Sequence, residues 1–404
     1  MPLWYDSLTS TPPKNNPFQI GRRHFMMIDF QKLTDLYRAH NEKRVADNYF
    51  TGSICGIWDR DQLLWTDTIG TADVKKTTPL KPDSVFRLAS MTKPICGAAL
   101  MQQVEKGLIG LDDPIYKWLP SFEKLEVATK IENGRIIATE PARFAVTPRH
   151  LLYHGSGIGS GSTAAIQYEY IPRVRSLAES VENYAKGVLE FHPGTTRAYS
   201  PYWGFDVLAH LVEVITGTPY DAYIQEHFLD PLGMVDTTYC PNEDQIARTV
   251  DFVNSSTGEF VMTDISPLTG HLSGGEGFVA GGAGLFSTMA DYHKFAQMLL
   301  NEGTFNGHRF LENETVKQMR THQVAVSLTG EKQVLGWGLS MRCCLDGQTL
   351  PKGAYGWSGS YGTHFWVDPV NDITCVYMMN LENGGGSGEP AALEFEADVM
   401  ASMK

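Results

Sequence analysis

Residues 86–101 read FRLASMTKPICGAALM and place a serine hydroxyl and a lysine amine one helical turn apart, at Ser90 and Lys93. Residues three apart on a helix share a face, so the Lys93 amine can reach the Ser90 hydroxyl. A serine attacks carbonyl groups only when a base takes its proton. A lysine can be that base where burial and a helix N-terminus lower its pKa. The segment therefore predicts a nucleophilic serine with a lysine partner.

The same segment predicts a buried central helix. Proline is tolerated only in the first turn of a helix, so Pro94 sets the start of this helix near Ser90. The next three turns are apolar almost all round, which indicates burial on every side, and Gly107 is a suitable residue to end the helix. A second serine–x–x–lysine copy, Ser121 to Lys124, has no apolar helix behind it, and we interpret it as a solvated loop.

Composition limits the class of protein. The chain has 404 residues, 42% of them hydrophobic, and a formal net charge of -13. This length can bury a large core in one or two domains, and the negative charge argues against nucleic acid or an anionic membrane as a partner. No apolar run is long enough to span a bilayer, and the N-terminus lacks the features of a secretory signal, so we expect a cytoplasmic protein. The cysteines and histidines lack metal-ligand spacing, which predicts buried free thiols and no metal site.

Strand-like segments lie near both ends of the chain, with helical segments between them. A helical pattern over residues 29–45 is followed by a strand–turn–strand pattern over residues 51–69. Further helices are predicted over residues 290–300 and 391–400, and further strands over 335–341, 355–358, 363–367 and 373–379. This order predicts one sheet built from both ends of the chain and interrupted by a helical insertion. Residues 1–24 are predicted to form an irregular arm.

Two other segments contain candidates for chemistry. Tyr199 precedes a second amphipathic helix, for which Ser200 is the expected N-cap and Pro201 the first residue. A tyrosine there is of catalytic interest only if it meets Ser90 and Lys93 in space. The second segment is a glycine-rich turn over residues 355–363, with the sequence YGWSGSYGT. Its glycines let a substrate approach the backbone, or else serve a hairpin that requires positive φ.

Three motifs follow one another along the chain, namely Ser90-Met91-Thr92-Lys93, Tyr199-Ser200-Pro201 and Trp357-Ser358-Gly359. Their order resembles that of the serine β-lactamases and penicillin-binding proteins, class C branch. Residues 147–157, 193–195, 231–234 and 282–288 also resemble this superfamily, and the resemblance runs from about residue 25 to 402. It implies an α/β fold of the α+β sandwich kind, in which an antiparallel sheet is flanked by N- and C-terminal helices and carries an inserted all-helical domain. The implied sheet domain comprises residues 25–95 and 280–404, and the mostly helical domain comprises residues 96–279.

The resemblance also implies roles for individual residues. Ser90 would be the acylated nucleophile and Lys93 its base, while Tyr199 would carry the proton to and from the leaving group. The backbone N–H groups of Ser90 and Ser360 would form the oxyanion hole, which typically contributes a few kcal/mol of transition-state stabilisation. No metal or organic cofactor is required. The third motif would supply the substrate-binding positions Trp357, Ser358 and Gly359.

Two departures from the family pattern bear on the substrate. The second motif is usually Tyr-x-Asn, and Pro201 offers no side-chain amide in place of that Asn. The third motif usually begins with Lys or His near the substrate carboxylate, whereas this chain has Trp357. An anionic substrate would lose a charge-assisted hydrogen bond worth roughly 1.5–3 kcal/mol, and an indole suits a neutral, partly apolar substrate. In this respect the third motif is similar to that of the family VIII carboxylesterases and related acyltransferases.

The sequence therefore predicts a serine carboxylesterase that acts on short-chain acyl esters through an acyl-enzyme. Three alternatives stay open: a β-lactamase or D-residue amidase or peptidase in the same site, an acyltransferase, and a non-catalytic acyl-binding module. The sequence does not decide whether Lys93 or Tyr199 acts first as base, nor whether the chain forms a homo-oligomer. We expect a small-molecule ester or amide as partner, and neither nucleic acid nor membrane. Candidates for the pocket lining are Tyr202, Trp203, Tyr361 and Trp366.

Overall fold

The computed structural model describes residues 28–171, 174, 176–254, 261–262, 278–323, 335–347, 349–382 and 384–404. The predicted arm over residues 1–24 lies outside these residues, as does most of the segment from 255 to 277.

Helices are distributed along the whole described chain. They are α1 (Phe30–Ala46), α2 (Thr92–Glu105), α3 (Pro148–Leu152), α4 (Gly161–Gln167), α5 (Leu177–Tyr184), α6 (Trp203–Thr216), α7 (Tyr220–Ile224), α8 (Asp230–Leu232), α9 (Glu243–Ala247), α10 (Met289–Leu300), α11 (Asn313–Met319) and α12 (Pro390–Ala401). A π-helical turn joins α7 to α8, over Gln225–Leu229. Short 3-10 turns occupy Ala89–Met91, Ile115–Lys117, Pro120–Phe122 and Gly386–Gly388.

Strands lie mainly at the two ends of the described chain. They are β1 (Gly52–Trp58), β2 (Leu63–Gly70), β3 (Phe86–Arg87), β4 (Glu126–Glu132), β5 (Arg135–Pro141), β6 (Val188–Leu189), β7 (Val253–Asn254), β8 (Val261–Met262), β9 (Phe286–Ser287), β10 (Thr304–Phe305), β11 (His308–Arg309), β12 (Leu335–Trp337), β13 (Arg342–Cys344), β14 (Tyr355–Ser358), β15 (His364–Asp368) and β16 (Ile373–Met378). Seven of them form an antiparallel sheet in the order β12-β13-β14-β15-β16-β1-β2. The sheet thus joins strands from both ends of the chain, as the sequence predicts.

The centre of this sheet is buried on both faces. Successive side chains of a strand point to opposite faces, and in β1 and β16 both sets are apolar. Ile54 and Val376 belong to the core on the α10 side, whereas Cys55 and Tyr377 pack with α1 and α12. The fold is therefore a sheet between two helical layers, and the predicted fold class is confirmed.

Helix α2 is the buried central helix that the sequence predicts. It packs against α6 and is buried on nearly all sides. A 3-10 turn containing Ser90 precedes it, and Gly107 follows its last turn with φ +68°. The second serine–x–x–lysine copy lies in and after the Pro120–Phe122 turn, where Lys124 is exposed.

Two local features of the structure were not predicted from the sequence. The segment expected to be mostly helical contains an antiparallel hairpin, β4–β5, whose side chains are largely exposed. Helix α6 begins at Trp203 with Tyr202 as its N-cap residue, so the predicted start at Pro201 is wrong. The cause is that the Pro201 carbonyl points to the Lys93 amine. Ser200 still satisfies a helix donor, because its hydroxyl accepts the Gly204 N–H.

The helices of the described residues are all too short or too polar to cross a bilayer.

Candidate active site

A strained turn presents Ser90 at the start of α2. Ala89, the residue before it, has φ +47°, a left-handed conformation that costs a non-glycine residue roughly 1–2 kcal/mol. Packing compensates for this strain, since Ala89 is buried against Phe252 and Tyr361. On the other side of Ser90, the Tyr292 hydroxyl donates to the Met91 carbonyl at 2.8 Å. Side chains from three distant segments therefore hold the turn that carries Ser90.

The Lys93 amine is buried and points at Ser90. Its Nζ lies 2.7 Å from the Pro201 carbonyl, 2.8 Å from the Gly282 carbonyl and 3.1 Å from Ser90 Oγ. Two N–H groups are thus committed to carbonyls, and a tetrahedral nitrogen directs its third position at Ser90. In a neutral amine that position carries the lone pair. The geometry therefore suits an amine that takes the Ser90 proton.

Tyr199 is the second polar neighbour of Ser90, and the Lys93 amine lies 5.1 Å from the centre of its ring. Its hydroxyl donates to Ser90 Oγ at 2.7 Å, although 38% of the residue is exposed along the cleft. Burial of the hydroxyl raises the pKa of Tyr199 to about 12, against the opposing effects of Ser90 and the Trp357 indole. The phenol therefore keeps its proton at neutral pH. It can donate that proton to an oxygen that develops negative charge.

His154 holds the backbone on both sides of Tyr199. Its Nδ1 accepts the Ser200 N–H at 3.1 Å, and its carbonyl accepts the Ala198 N–H at 3.1 Å. Its ring lies 4.8 Å from the Tyr199 ring and stacks on Trp357. Burial lowers the pKa of His154 well below its usual value, so Nδ1 stays an acceptor. We interpret His154 as a positioning residue, which the sequence marks only as part of the stretch 147–157 that resembles the superfamily.

A cleft of about 630 Å³ opens in front of Ser90. Its described lining comprises Ala89, Ser90, Tyr199, Pro201, Tyr202, Ala283, Leu335, Trp337, Arg342, Trp357, Ser358, Ser360, Gly385, Gly386 and Ser387. Among these residues the one cation, Arg342, donates to the Glu396 carboxylate at 2.8 Å. Its charge is therefore matched by a buried carboxylate.

The third motif lies against the turn that carries Ser90. A Cβ on Gly359 would fall 2.2 Å from both the Leu88 carbonyl and Thr363 Oγ1, so only glycine fits there without a backbone shift. The Thr363 hydroxyl donates to the same Leu88 carbonyl at 2.9 Å. These contacts bring the segment that contains Ser360 next to Ser90, and both residues line the cleft. An oxyanion hole made by their N–H groups stays a prediction.

The structure brings together most of the predicted site residues. Ser90, Lys93 and Tyr199 meet, and Trp357, Ser358 and Ser360 line the same cleft. Of the expected lining aromatics, Tyr202 lines it. The other three do not, because each is packed elsewhere: Trp203 on Tyr184, Tyr361 on Phe252, and Trp366 on Phe395 at the far face of the sheet. Sequence reasoning missed Trp337 and Arg342, which no motif marks.

Comparison with known proteins identifies the family. The family model described as Beta-lactamase matches residues 38–397. The chain belongs to the beta-lactamase family. Curated relatives in this family carry the names of esterases, acyltransferases and putative D-alanyl-D-alanine carboxypeptidases, so it is a family of serine hydrolases and related enzymes.

Two related sequences and one solved structure illustrate the range of similarity to this chain. Protein Rv1367c of Mycobacterium tuberculosis is 31% identical over 351 residues, which are 81% of this chain and 85% of that protein. Esterase EstB of Burkholderia gladioli is 26% identical, over 89% of this chain and 94% of that protein. The structure of EstCE1, described as a hydrolase with promiscuous acyltransferase activity, superposes with a TM-score of 0.75 at 22% identity, over 92% of this chain and 99% of that one. The structural likeness shows the fold.

Proposed function

We propose that this chain is a serine carboxylesterase that forms an acyl-enzyme on Ser90 with short-chain acyl esters. The observation that carries the proposal is the position of Ser90 Oγ, 2.7 Å from the Tyr199 hydroxyl and 3.1 Å from Lys93 Nζ, at the cleft. Trp357 in place of a cation, and the pairing of Arg342 with Glu396, favour a neutral ester over a carboxylate-bearing β-lactam or peptide.

The reaction follows from these contacts. Lys93 takes the Ser90 proton as Oγ attacks the ester carbonyl, and the backbone N–H groups of Ser90 and Ser360 stabilise the tetrahedral oxyanion. Tyr199 gives its proton to the departing alkoxide and regains one from Lys93. Water then attacks the acyl-enzyme by the reverse route and releases the acid. The raised pKa of Tyr199 supports Lys93, rather than a phenolate, as the first base.

The decisive experiment measures hydrolysis of p-nitrophenyl butyrate and of a chromogenic cephalosporin by wild type, Ser90→Ala and Ser121→Ala. Ser121 is the matched control, because it belongs to the other serine–x–x–lysine copy and bonds the exposed Glu182. We expect ester turnover that Ser90→Ala abolishes and Ser121→Ala retains, with little cephalosporin cleavage. Efficient cephalosporin cleavage would favour the β-lactamase alternative. Failure of a fluorophosphonate to label Ser90 would leave only a non-catalytic module.

Acyl transfer is the second candidate. The cleft volume of about 630 Å³ leaves room for an acceptor alcohol beside the acyl group, and EstCE1 carries such an activity in its description. Adding increasing concentrations of a primary alcohol to the butyrate assay separates the two reactions. A product ratio of the alcohol's butyrate ester to butyric acid well above the molar ratio of alcohol to water would favour the transferase.

A further inference from the structure

A chain of hydrogen bonds leads from the cleft into the protein behind the third motif. Ser358 Oγ lies 2.8 Å from His364 Nδ1, and His364 Nε2 lies 2.9 Å from Glu396 Oε1. Arg342 donates to the same carboxylate oxygen at 2.8 Å. Ser358, His364 and Glu396 are each at most 6% exposed. Such a buried chain fixes the direction of every proton in it.

Glu396 determines which nitrogen of His364 carries hydrogen. Burial by itself would raise the pKa of Glu396, but the contacts with His364 and Arg342 hold it below its usual value, so the group is a carboxylate. A carboxylate only accepts hydrogen bonds, so His364 Nε2 must carry a hydrogen. Burial lowers the pKa of His364 and outweighs the opposing effects of Glu396 and the Trp357 backbone, so the ring is neutral. With its hydrogen on Nε2 towards Glu396, Nδ1 bears the lone pair.

The lone pair on Nδ1 then orients the Ser358 hydroxyl. Ser358 and His364 are cross-strand partners on β14 and β15, which fixes their separation. The Ser358 O–H must donate to Nδ1, because that nitrogen can only accept. The hydrogen of Ser358 is therefore directed away from the cleft, and its oxygen has lone pairs left for a substrate.

We propose that Ser358 is a specificity-determining residue whose hydroxyl acts in the cleft as a hydrogen-bond acceptor. It selects neutral esters whose acyl or alcohol part places an N–H or O–H donor against Ser358 in the cleft, and it disfavours substrates that place a carboxylate there. This inference rests on the proposed esterase function and names its substrate class. A carboxylate opposite the lone pairs of Ser358 gains no hydrogen bond, whereas a carboxamide of the same shape gains one.

The test compares isosteric amide and acid esters. In the first pair the carboxamide or carboxylate is on the acyl side, in 4-nitrophenyl adipamate and 4-nitrophenyl hydrogen adipate. In the second pair it is on the alcohol side, in 3-carbamoylphenyl acetate and 3-carboxyphenyl acetate. The quantity measured is the ratio of kcat/KM for the amide to that for the acid. If the amide makes a hydrogen bond to Ser358 that the acid cannot make, the wild-type ratio of kcat/KM should be about 10–100 in at least one pair. A structural role for Ser358 would change both members equally and leave the ratio as it is.

Four variants complete the test. Ser358→Ala should reduce the ratio in the affected pair to within about threefold of unity, and Ser358→Thr should restore it, since threonine keeps the hydroxyl. His364→Phe should also reduce it, because the hydroxyl is then free to turn towards the cleft. The control is Ser387→Ala, which removes an exposed hydroxyl from the same cleft and should leave the ratio at the wild-type value.

The outcomes separate the two proposals. Wild-type ratios near unity in both pairs, or a ratio that Ser358→Ala leaves unchanged, would overturn the role of Ser358. Ester turnover that depends on Ser90 would uphold the esterase proposal in either case. Absence of turnover with every ester, p-nitrophenyl butyrate included, would overturn both.

Discussion

Ser90 Oγ has two polar neighbours that differ in their environment. The Lys93 amine has two backbone carbonyls as partners, whereas the Tyr199 hydroxyl donates to Ser90 Oγ. Because burial raises the pKa of Tyr199 to about 12, the phenol is a proton donor over the whole physiological range. These environments suit the proposed mechanism, in which Lys93 is the base and Tyr199 the acid.

Replacing Tyr199 with phenylalanine tests the donor role. Tyr199→Phe keeps the ring and removes the hydroxyl 2.7 Å from Ser90. General acid catalysis typically contributes 10²–10⁴-fold, so we expect kcat/KM for p-nitrophenyl butyrate to fall by about that factor. The melting temperature should change little, because the ring is partly exposed. Tyr170→Phe, at an exposed tyrosine, is the control, and equal activity of Tyr199→Phe and wild type would refute the role.

His154→Asn tests how the position of Tyr199 is maintained. His154 has φ +63°, which asparagine tolerates better than most residues, so the backbone is not additionally strained. The shorter amide loses the ring contact with Tyr199 and the reach to the Ser200 N–H. We expect kcat to fall about 10-fold, since small displacements of a proton donor are costly, with a smaller change in KM. A change confined to KM would contradict the positioning role.

At the scale of elements, the third motif packs closely against the turn that carries Ser90. Gly359→Ala forces a Cβ to within 2.2 Å of the Leu88 carbonyl. Because the backbone must shift, we expect a loss of about 1–3 kcal/mol in the free energy of unfolding together with a lower kcat. Urea denaturation and steady-state kinetics measure the two effects. Gly388→Ala is the control, since a Cβ there has nothing within 4 Å, and equal stability of the two variants would contradict the prediction.

Elements with strong apolar periodicity were predictable from the sequence. Helices α1, α10 and α12 and strands β14 and β16 lie within one or two residues of the expected bounds. The helices bury regularly spaced residues, and the two strands are short segments in which every residue is buried. The β4–β5 hairpin was not predictable in this way, since its side chains are largely exposed and show no alternation. The start of α6 was misplaced because a tertiary contact, Pro201 to Lys93, overrides local capping preferences.

The site was predictable where side chains carry the chemistry. Ser90 and Lys93 are one helical turn apart, so their spacing in the sequence predicts that their side chains touch. Backbone groups leave no such signal, so the Gly282 and Pro201 carbonyls that hold Lys93 could not be found from residue types. His364 and Glu396 are 32 residues apart on different elements, and only the packing of α12 on the sheet unites them.

At the scale of the whole molecule, the partly buried His293 makes stability depend on pH. Burial lowers the pKa of His293 to about 3, against 6.5 in the unfolded chain. Below pH 6.5 the unfolded chain therefore binds a proton that the folded chain does not, so the free energy of unfolding falls as the pH falls. At pH 5.5 this one group contributes a loss of up to about 1.4 kcal/mol.

His293→Phe should remove that loss. His293 stacks on Trp58 with ring centroids 4.1 Å apart, and phenylalanine can keep this contact without a titrating group. We expect the variant to lose less stability than wild type between pH 7.5 and 5.5, as measured by urea denaturation at the two pH values. His308→Phe is the comparison, since His308 is exposed. Identical pH dependence in His293→Phe and wild type would contradict the neutral state of His293.

The pairing of β1 with β16 has a consequence for how the protein folds during its synthesis. Ile57 pairs with Cys375, so more than three quarters of the sequence lies between these two neighbouring strands. Such distant pairing makes folding slow. A ribosome that adds about 5–20 residues per second needs on the order of 15–60 s to reach β16 after β1 has emerged. Throughout that interval one edge of β1 has no partner strand, because β16 has not yet been synthesised. All residues of β1 are buried in the folded protein. Chaperone protection of this nascent edge is therefore the expected condition for a good yield.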